Sequence, residues 1–191
     1  MPKFHVSSDG NPRVCTASEG NCPLGGNENH YTSKEAARAA FEDSVKSIRT
    51  VSPWGDVQWR NSEGQIHRDY DLPAIESPDG SKTWYRNGLI HRDGDLPAYL
   101  GADGSKQWRR NGKRHRDGDL PAVEEADGTK RWYQNGQRHR DGDLPAVEEA
   151  DGSKRWYQNG LAHRDGDLPA VERAYGLKEW WIKGKFQRES Y

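Results

Sequence analysis

The chain has 191 residues, of which 31% are apolar and 31% charged, and its formal net charge is −1. An even charge balance gives no large basic field, which disfavours nucleic acid as a partner. So polar a composition also excludes a thick globular core, whereas a thin sheet with one apolar stripe accommodates it. Disorder is the competing reading of such polarity, and the regular placement of eight Trp and eight Tyr opposes it.

Residues 1–30 are rich in Gly, Asn, Ser and Pro and read as turns. Four of them, His5, Cys15, Cys22 and His30, make a Cys2His2 set that suits zinc, around which a small loop-rich segment can fold. Six residues separate the cysteines, against about two to four in standard fingers. The alternatives are a reduced cysteine pair or a single disulfide, and no other cofactor is expected. Next, Thr32 followed by Glu35 fits a capping box. Ala37, Ala40, Phe41, Val45 and Ile48 then fall at helical spacing, which predicts a short amphipathic helix to about Arg49. Residues 1–50 are therefore expected to form a loop-plus-helix module. No apolar run reaches the length of a membrane span, and the first residues lack the apolar core of a signal peptide, so a cytoplasmic protein is expected.

Residues 56–188 repeat. His-Arg-Asp-Gly-Asp-Leu-Pro-Ala stands at 91–98, 115–122, 139–146 and 163–170, and at 67–74 with Tyr70 for the Gly; the histidines lie 24 residues apart. Trp84, Trp108, Trp132, Trp156 and Trp180 keep the same period. A fixed period of this length marks a repeat architecture whose units bury their apolar faces on each other. In the unit around Trp156, Asn159-Gly160 predicts a type I′ hairpin placing Trp156 opposite His163 and Tyr157 opposite Ala162. Asp151-Gly152, taken as a second two-residue turn, sets Val147 opposite Trp156 and Glu148 opposite Arg155. The predicted fold is mainly β, an antiparallel meander of about five 24-residue hairpin repeats forming an elongated sheet or solenoid with a Trp spine. The Asp-Gly-Asp-Leu-Pro piece reads as a corner, because Pro cannot donate to a ladder and Gly permits positive φ. Leu144 and its equivalents are expected to tuck beneath it as a second apolar stripe. Departures at both ends, such as Tyr175-Gly176 for Asp-Gly and Gln187 for His, predict capping units.

Two resemblances add to this. The Trp-Tyr-x-Asn-Gly segments at Trp84, Trp132 and Trp156, each followed by a His, resemble the MORN repeat family over residues 56–188; Arg-Asp-Gly-Asp-Leu-Pro stands where that family usually has His-Gly-x-Gly. The resemblance implies a protein-interaction or scaffolding element, in some members with lipid contacts. Met1-Pro2-Lys3, the run from Cys15 to Cys22-Pro23-x-Gly25-Gly26, and His30 resemble a short leader of actinobacterial and phage proteins, implying a delivery or docking module.

For chemistry, His-Arg-Asp is shared with the kinase catalytic loop, but it recurs five times here without the remaining kinase motifs. A catalytic site is a singular constellation, so a non-enzymatic protein is expected. The histidines could take metal or switch with pH, yet at two strand spacings, about 9–10 Å, they are too far apart to share one ion. A structural role, with a ring nitrogen held by a corner Asp, is preferred. The paired Asp residues, such as Asp141 and Asp143, fall short of the oxygens that calcium requires unless neighbouring corners contribute. There remains a face carrying Tyr85, Tyr133 and Tyr157, residue types enriched at interfaces, whose alternative is an ordinary solvated surface. The expectation is a scaffold that binds a protein partner through these tyrosines, with a homo-oligomer through sheet edges as a further state. The alternative is capture of a small anion or nucleic acid by the corner arginines Arg68, Arg92, Arg116, Arg140 and Arg164.

Overall fold

The computed structural model describes residues 4–6, 12–14, 33, 36 and 47–191. Three members of the zinc set, Cys15, Cys22 and His30, lie outside them; His5 is on a described strand, Phe4–Val6, which pairs with Pro12–Val14. The expected helix also falls outside, apart from helical Ala36, whose N–H is accepted by the Ser33 hydroxyl at 3.0 Å. Its predicted C-terminal end is corrected. Ile48 and Arg49 belong to a strand, Ile48–Val51, paired with Val57–Arg60. Ile, Thr and Val in this stretch are stiff at χ1 and favour the pleated state, which outweighs the helical spacing of Ile48.

The described structure is mainly β, and the chain divides into two compact units, Met1–Tyr99 and Leu100–Tyr191. In the first, Ile48–Val51, Val57–Arg60, Ile75–Glu76 and Lys82–Thr83 pair in sequence as an antiparallel meander, and Tyr85–Arg86 with Leu89–Ile90 makes a separate hairpin. In the second unit the meander runs through Lys106–Gln107, Val123–Glu124, Lys130–Arg131, Val147–Glu148, Lys154–Arg155, Val171–Glu172, Lys178–Ile182 and Lys185–Ser190. Hairpins Arg109–Arg110/Lys113–Arg114, Tyr133–Gln134/Gln137–Arg138 and Tyr157–Gln158/Leu161–Ala162 stand beside it. Among the described residues no helix is long and apolar enough to cross a membrane.

Trp84, Trp108, Trp132 and Trp156 are where the chain leaves the meander for a hairpin. The Trp156 N–H donates to Ala170 O at 2.8 Å, and Trp156 O accepts from the His163 N–H at 3.1 Å, so its two polar groups serve different neighbours. The indole is buried, as are those of Trp84, Trp108 and Trp132. Burying each contributes up to about 4–6 kcal/mol at 25 cal/mol per Å2.

The hairpin turns are as expected: Asn159 and Gly160 have φ of 50° and 83°, the double left-handed geometry of type I′, and Tyr157 faces Ala162. The Asp-Gly end differs from expectation by one residue. Val147 pairs with Arg155 and Glu148 with Lys154. Glu149 closes the loop through its N–H to Ser153 O and its O from Gly152 N–H, so the loop is Ala150-Asp151-Gly152, three residues with Gly152 at φ 90°. A three-residue loop ending in a left-handed Gly is the next commonest hairpin connection. The one-residue slip moves Trp156 off the Val147 ladder position.

The second apolar stripe is also corrected. Leu72, Leu120, Leu144 and Leu168 are exposed, 38–42%. The buried members of the corner are Pro73, Pro121, Pro145 and Pro169, with Ala74, Ala98, Ala122, Ala146 and Ala170 fully enclosed. Each of these Ala carbonyls accepts the N–H of a Trp, from Trp59 to Trp156. The Leu, two residues earlier, follows a left-handed Asp (Asp71, Asp119, Asp143, Asp167; φ 53–54°) that turns it outward.

Candidate binding site

Each corner arginine is committed to the scaffold by several contacts at once. Arg164 lies 3.9 Å over the Trp156 ring; its Nε and Nη2 donate to the Asp143 oxygens at 2.8 and 3.0 Å, and its Nη1 donates to Pro169 O and Glu172. Arg140 repeats this on Trp132, Asp119, Pro145 and Glu148. Arg92 does so on Trp84, Asp71 and Pro97, and Arg116 stacks on Trp108 and bonds Pro121 and Glu124. The planar guanidinium permits stacking and forked bonding together. Arg164 holds the Asp143 carboxyl below the ordinary carboxylate range, and Arg140 does the same for Asp119.

The histidines link repeats. His139 Nδ1 accepts the Asn159 backbone N–H at 3.1 Å, so the ring proton sits on Nε2 and is donated to Asp141 Oδ1 at 2.9 Å. His67 and His115 make the same pair of bonds, to Asn87 and Asp69 and to Asn135 and Asp117; His163 bonds Asp165 and takes the N–H of Lys183. The preferred structural reading of the histidines matches these partners. Buried Thr129 and Ser153 add a third link by accepting the N–H groups of Ala150 and Ala174.

Between successive corners of the second unit the surface opens into clefts of about 490, 380 and 390 Å3. The middle one is bounded by Asp141, Asp143 and Leu144 on one side and by Tyr157, Gln158 and Asp165 on the other. Its counterpart in the first unit is only about 50 Å3, lined by Tyr70 and Arg86 where the first two clefts of the second unit have Gly and Gln.

The tyrosines proposed from sequence line these clefts but do not form an open face. Tyr133 is buried, clustered with Trp108, Ala122 and Val123; Arg114 lies 5.3 Å over its ring and Arg138 Nε donates to its hydroxyl at 3.3 Å. Tyr157 and Tyr85 are half-buried, and Arg138 lies over Tyr157. The tyrosines sit inward because the hairpins stack, Gly136 and Gly160 N–H donating to Arg114 O and Arg138 O one repeat back. What the clefts present to solvent instead is carboxylate and leucine. Asp117, Asp141 and Asp165 side chains are 69%, 80% and 80% exposed.

Sequence reasoning missed these, and it missed the Arg-on-Trp stacks, which include Arg68 on Trp59 and Arg188 on Trp180. The signal was available: Arg188 keeps the 24-residue period although Gln187 replaces the His. Compared with protein-family models, curated proteins and solved structures, the chain matches none.

Proposed function

We propose that this chain is a non-enzymatic scaffold that binds an extended segment of a partner protein along the clefts of residues 115–188. The observation that carries this reading is the succession of three open clefts built from equivalent residues, each presenting an outward Leu and corner carboxylates. Repeat proteins commonly use such a regular surface for a partner. The resemblance to MORN arrays points the same way, and the leader resemblance suggests an actinobacterial or phage setting in the cytoplasm. The His-Asp pairs at 67, 115, 139 and 163 recur in the same arrangement, so among the described residues none of these pairs is set apart for catalysis. The alternative of an anion captured by the corner arginines is disfavoured by their engagement with Trp, Asp and Pro carbonyl groups.

The test is a pull-down with the full chain and with a triple variant, Leu120→Glu, Leu144→Glu and Leu168→Glu, which alters only exposed side chains. One stoichiometric protein that survives nuclease and is lost with the triple variant is the expected result. Recovery only of material removed by nuclease or phosphate would transfer the reading to anion capture.

A further inference from the structure

One column of cleft residues controls the charge. Residues 86, 110, 134, 158 and 182 read Arg, Arg, Gln, Gln and Ile. Each of the first four reaches the carboxylate seven residues on. Arg86 pairs with Asp93 and Arg110 with Asp117, cancelling the negative charge. Gln134 donates to Asp141 at 3.0 Å and Gln158 to Asp165 at 3.1 Å, and an amide cancels nothing. The other partner of each carboxylate is a histidine whose Nδ1 accepts a backbone N–H, so it is neutral in this arrangement. No Lys or Arg among the described residues forms an ion pair with Asp141 or Asp165. Each of their oxygens accepts one hydrogen bond from these partners and retains a lone pair toward solvent.

We propose that the partner segment is basic and extended, with Lys or Arg at every third residue, its cations received by Asp141 and Asp165 and its intervening residues lying against Leu144 and Leu168. The inference rests on the scaffold reading and specifies its partner. Three observations carry it. The two carboxylates are exposed and uncancelled, and lie exactly one repeat apart in sequence, 24 residues. Each repeat adds two strands to the meander, so equivalent points are about 9.5 Å apart at ordinary strand spacing. A polyproline II segment advances about 9.3 Å in three residues, which brings every third side chain to the next cleft. Finally, the clefts bearing Gln have room for a chain, about 490 and 380 Å3, whereas the one bearing Arg86 and Tyr70 has about 50 Å3.

The experiment is fluorescence anisotropy of full-length chain with labelled synthetic peptides. One peptide has four Lys-Pro-Pro triplets, one has four Glu-Pro-Pro triplets, and one alternates Lys and Pro so that its lysines fall out of step. The protein variant is Gln134→Arg with Gln158→Arg, which installs the pairing that Arg86 and Arg110 already make, so the fold has its own precedent. Binding of the Lys-Pro-Pro peptide, with affinity at least about ten-fold lower for the variant and for the alternating peptide, is expected. Equal binding by parent and variant overturns the proposal, as does equal binding of the two lysine peptides. If no basic peptide binds while a captured protein is still lost with the leucine variant, the basic-segment proposal fails and the scaffold reading stands.

Discussion

Arg164 sits on the Trp156 ring while its forked nitrogens hold both oxygens of Asp143, 21 residues earlier in the chain. One side chain thereby fastens its own repeat's indole to the preceding repeat's corner. A lysine keeps the charge but not the plane or the fork. Arg164→Lys should therefore cost about 1–3 kcal/mol in chemical denaturation. Arg188→Lys should cost less, because Arg188 is 53% exposed and its bond to Asp167 is single.

The ring nitrogens of the linking histidines should be unequal. With Nδ1 accepting from the Asn N–H and Nε2 donating to Asp, His67, His115 and His139 are expected as the Nε2–H tautomer. Nitrogen-15 NMR of labelled protein at neutral pH distinguishes the two ring nitrogens directly. A proton on Nδ1 would contradict the inter-repeat bond.

Gly152 isolates the backbone cost of the three-residue loop. Its φ is 90°, and an added Cβ would meet nothing within 4 Å. Gly152→Ala should destabilise by about 1–2 kcal/mol from conformation alone. Gly184→Ala, at φ 77° with the flexible Leu161 Cδ2 at 3.3 Å, should cost a similar amount because that leucine is half exposed and can yield. Thermal melts of the two variants side by side make the comparison.

Acid should loosen the corners. The carboxyls of Asp119 and Asp143 are depressed in the folded chain by Arg140 and Arg164, and that of Asp141 by His139 and then Gln134. A depressed folded value means that each group's contribution is complete above the unfolded carboxylate range, about pH 4, and is lost as pH falls through the folded value. Asp143→Asn should therefore lower the melting temperature at neutral pH, and the gap from the parent should narrow as pH drops below about 4. Because the Asp143 side chain is 53% exposed, the effect is modest.

Much of the fold was legible because turn chemistry is local. Asn-Gly fixes a two-residue hairpin wherever it occurs, and the pairing of Tyr157 with Ala162 followed from it. Asp-Gly was read by the same rule and missed by one residue, since the Asp151 carboxylate accepts the Ser153 N–H and steadies a three-residue loop. The roles of the corner residues were hidden for a different reason. Arg164 and Asp143 belong to separate repeats, and a period reveals that two residues recur without revealing which of them meet. The inward tyrosines likewise depend on the stacking of hairpins one repeat apart, which no single unit contains.

The links between neighbouring repeats in residues 100–191 span 20 to 22 positions: His139 to Asn159, Arg164 to Asp143, Thr129 to Ala150, and Gly160 to Arg138. Each unit thus offers its successor the same socket that it takes from its predecessor. The array behaves as a ruler graduated in 24-residue steps. Copying residues 123–146 in tandem would lengthen the groove by one cleft, about 9.5 Å, and charge its new graduation with whatever residue occupies the Gln134 position. Reach and selectivity can then be set independently, the first by the number of units and the second by one side chain in each.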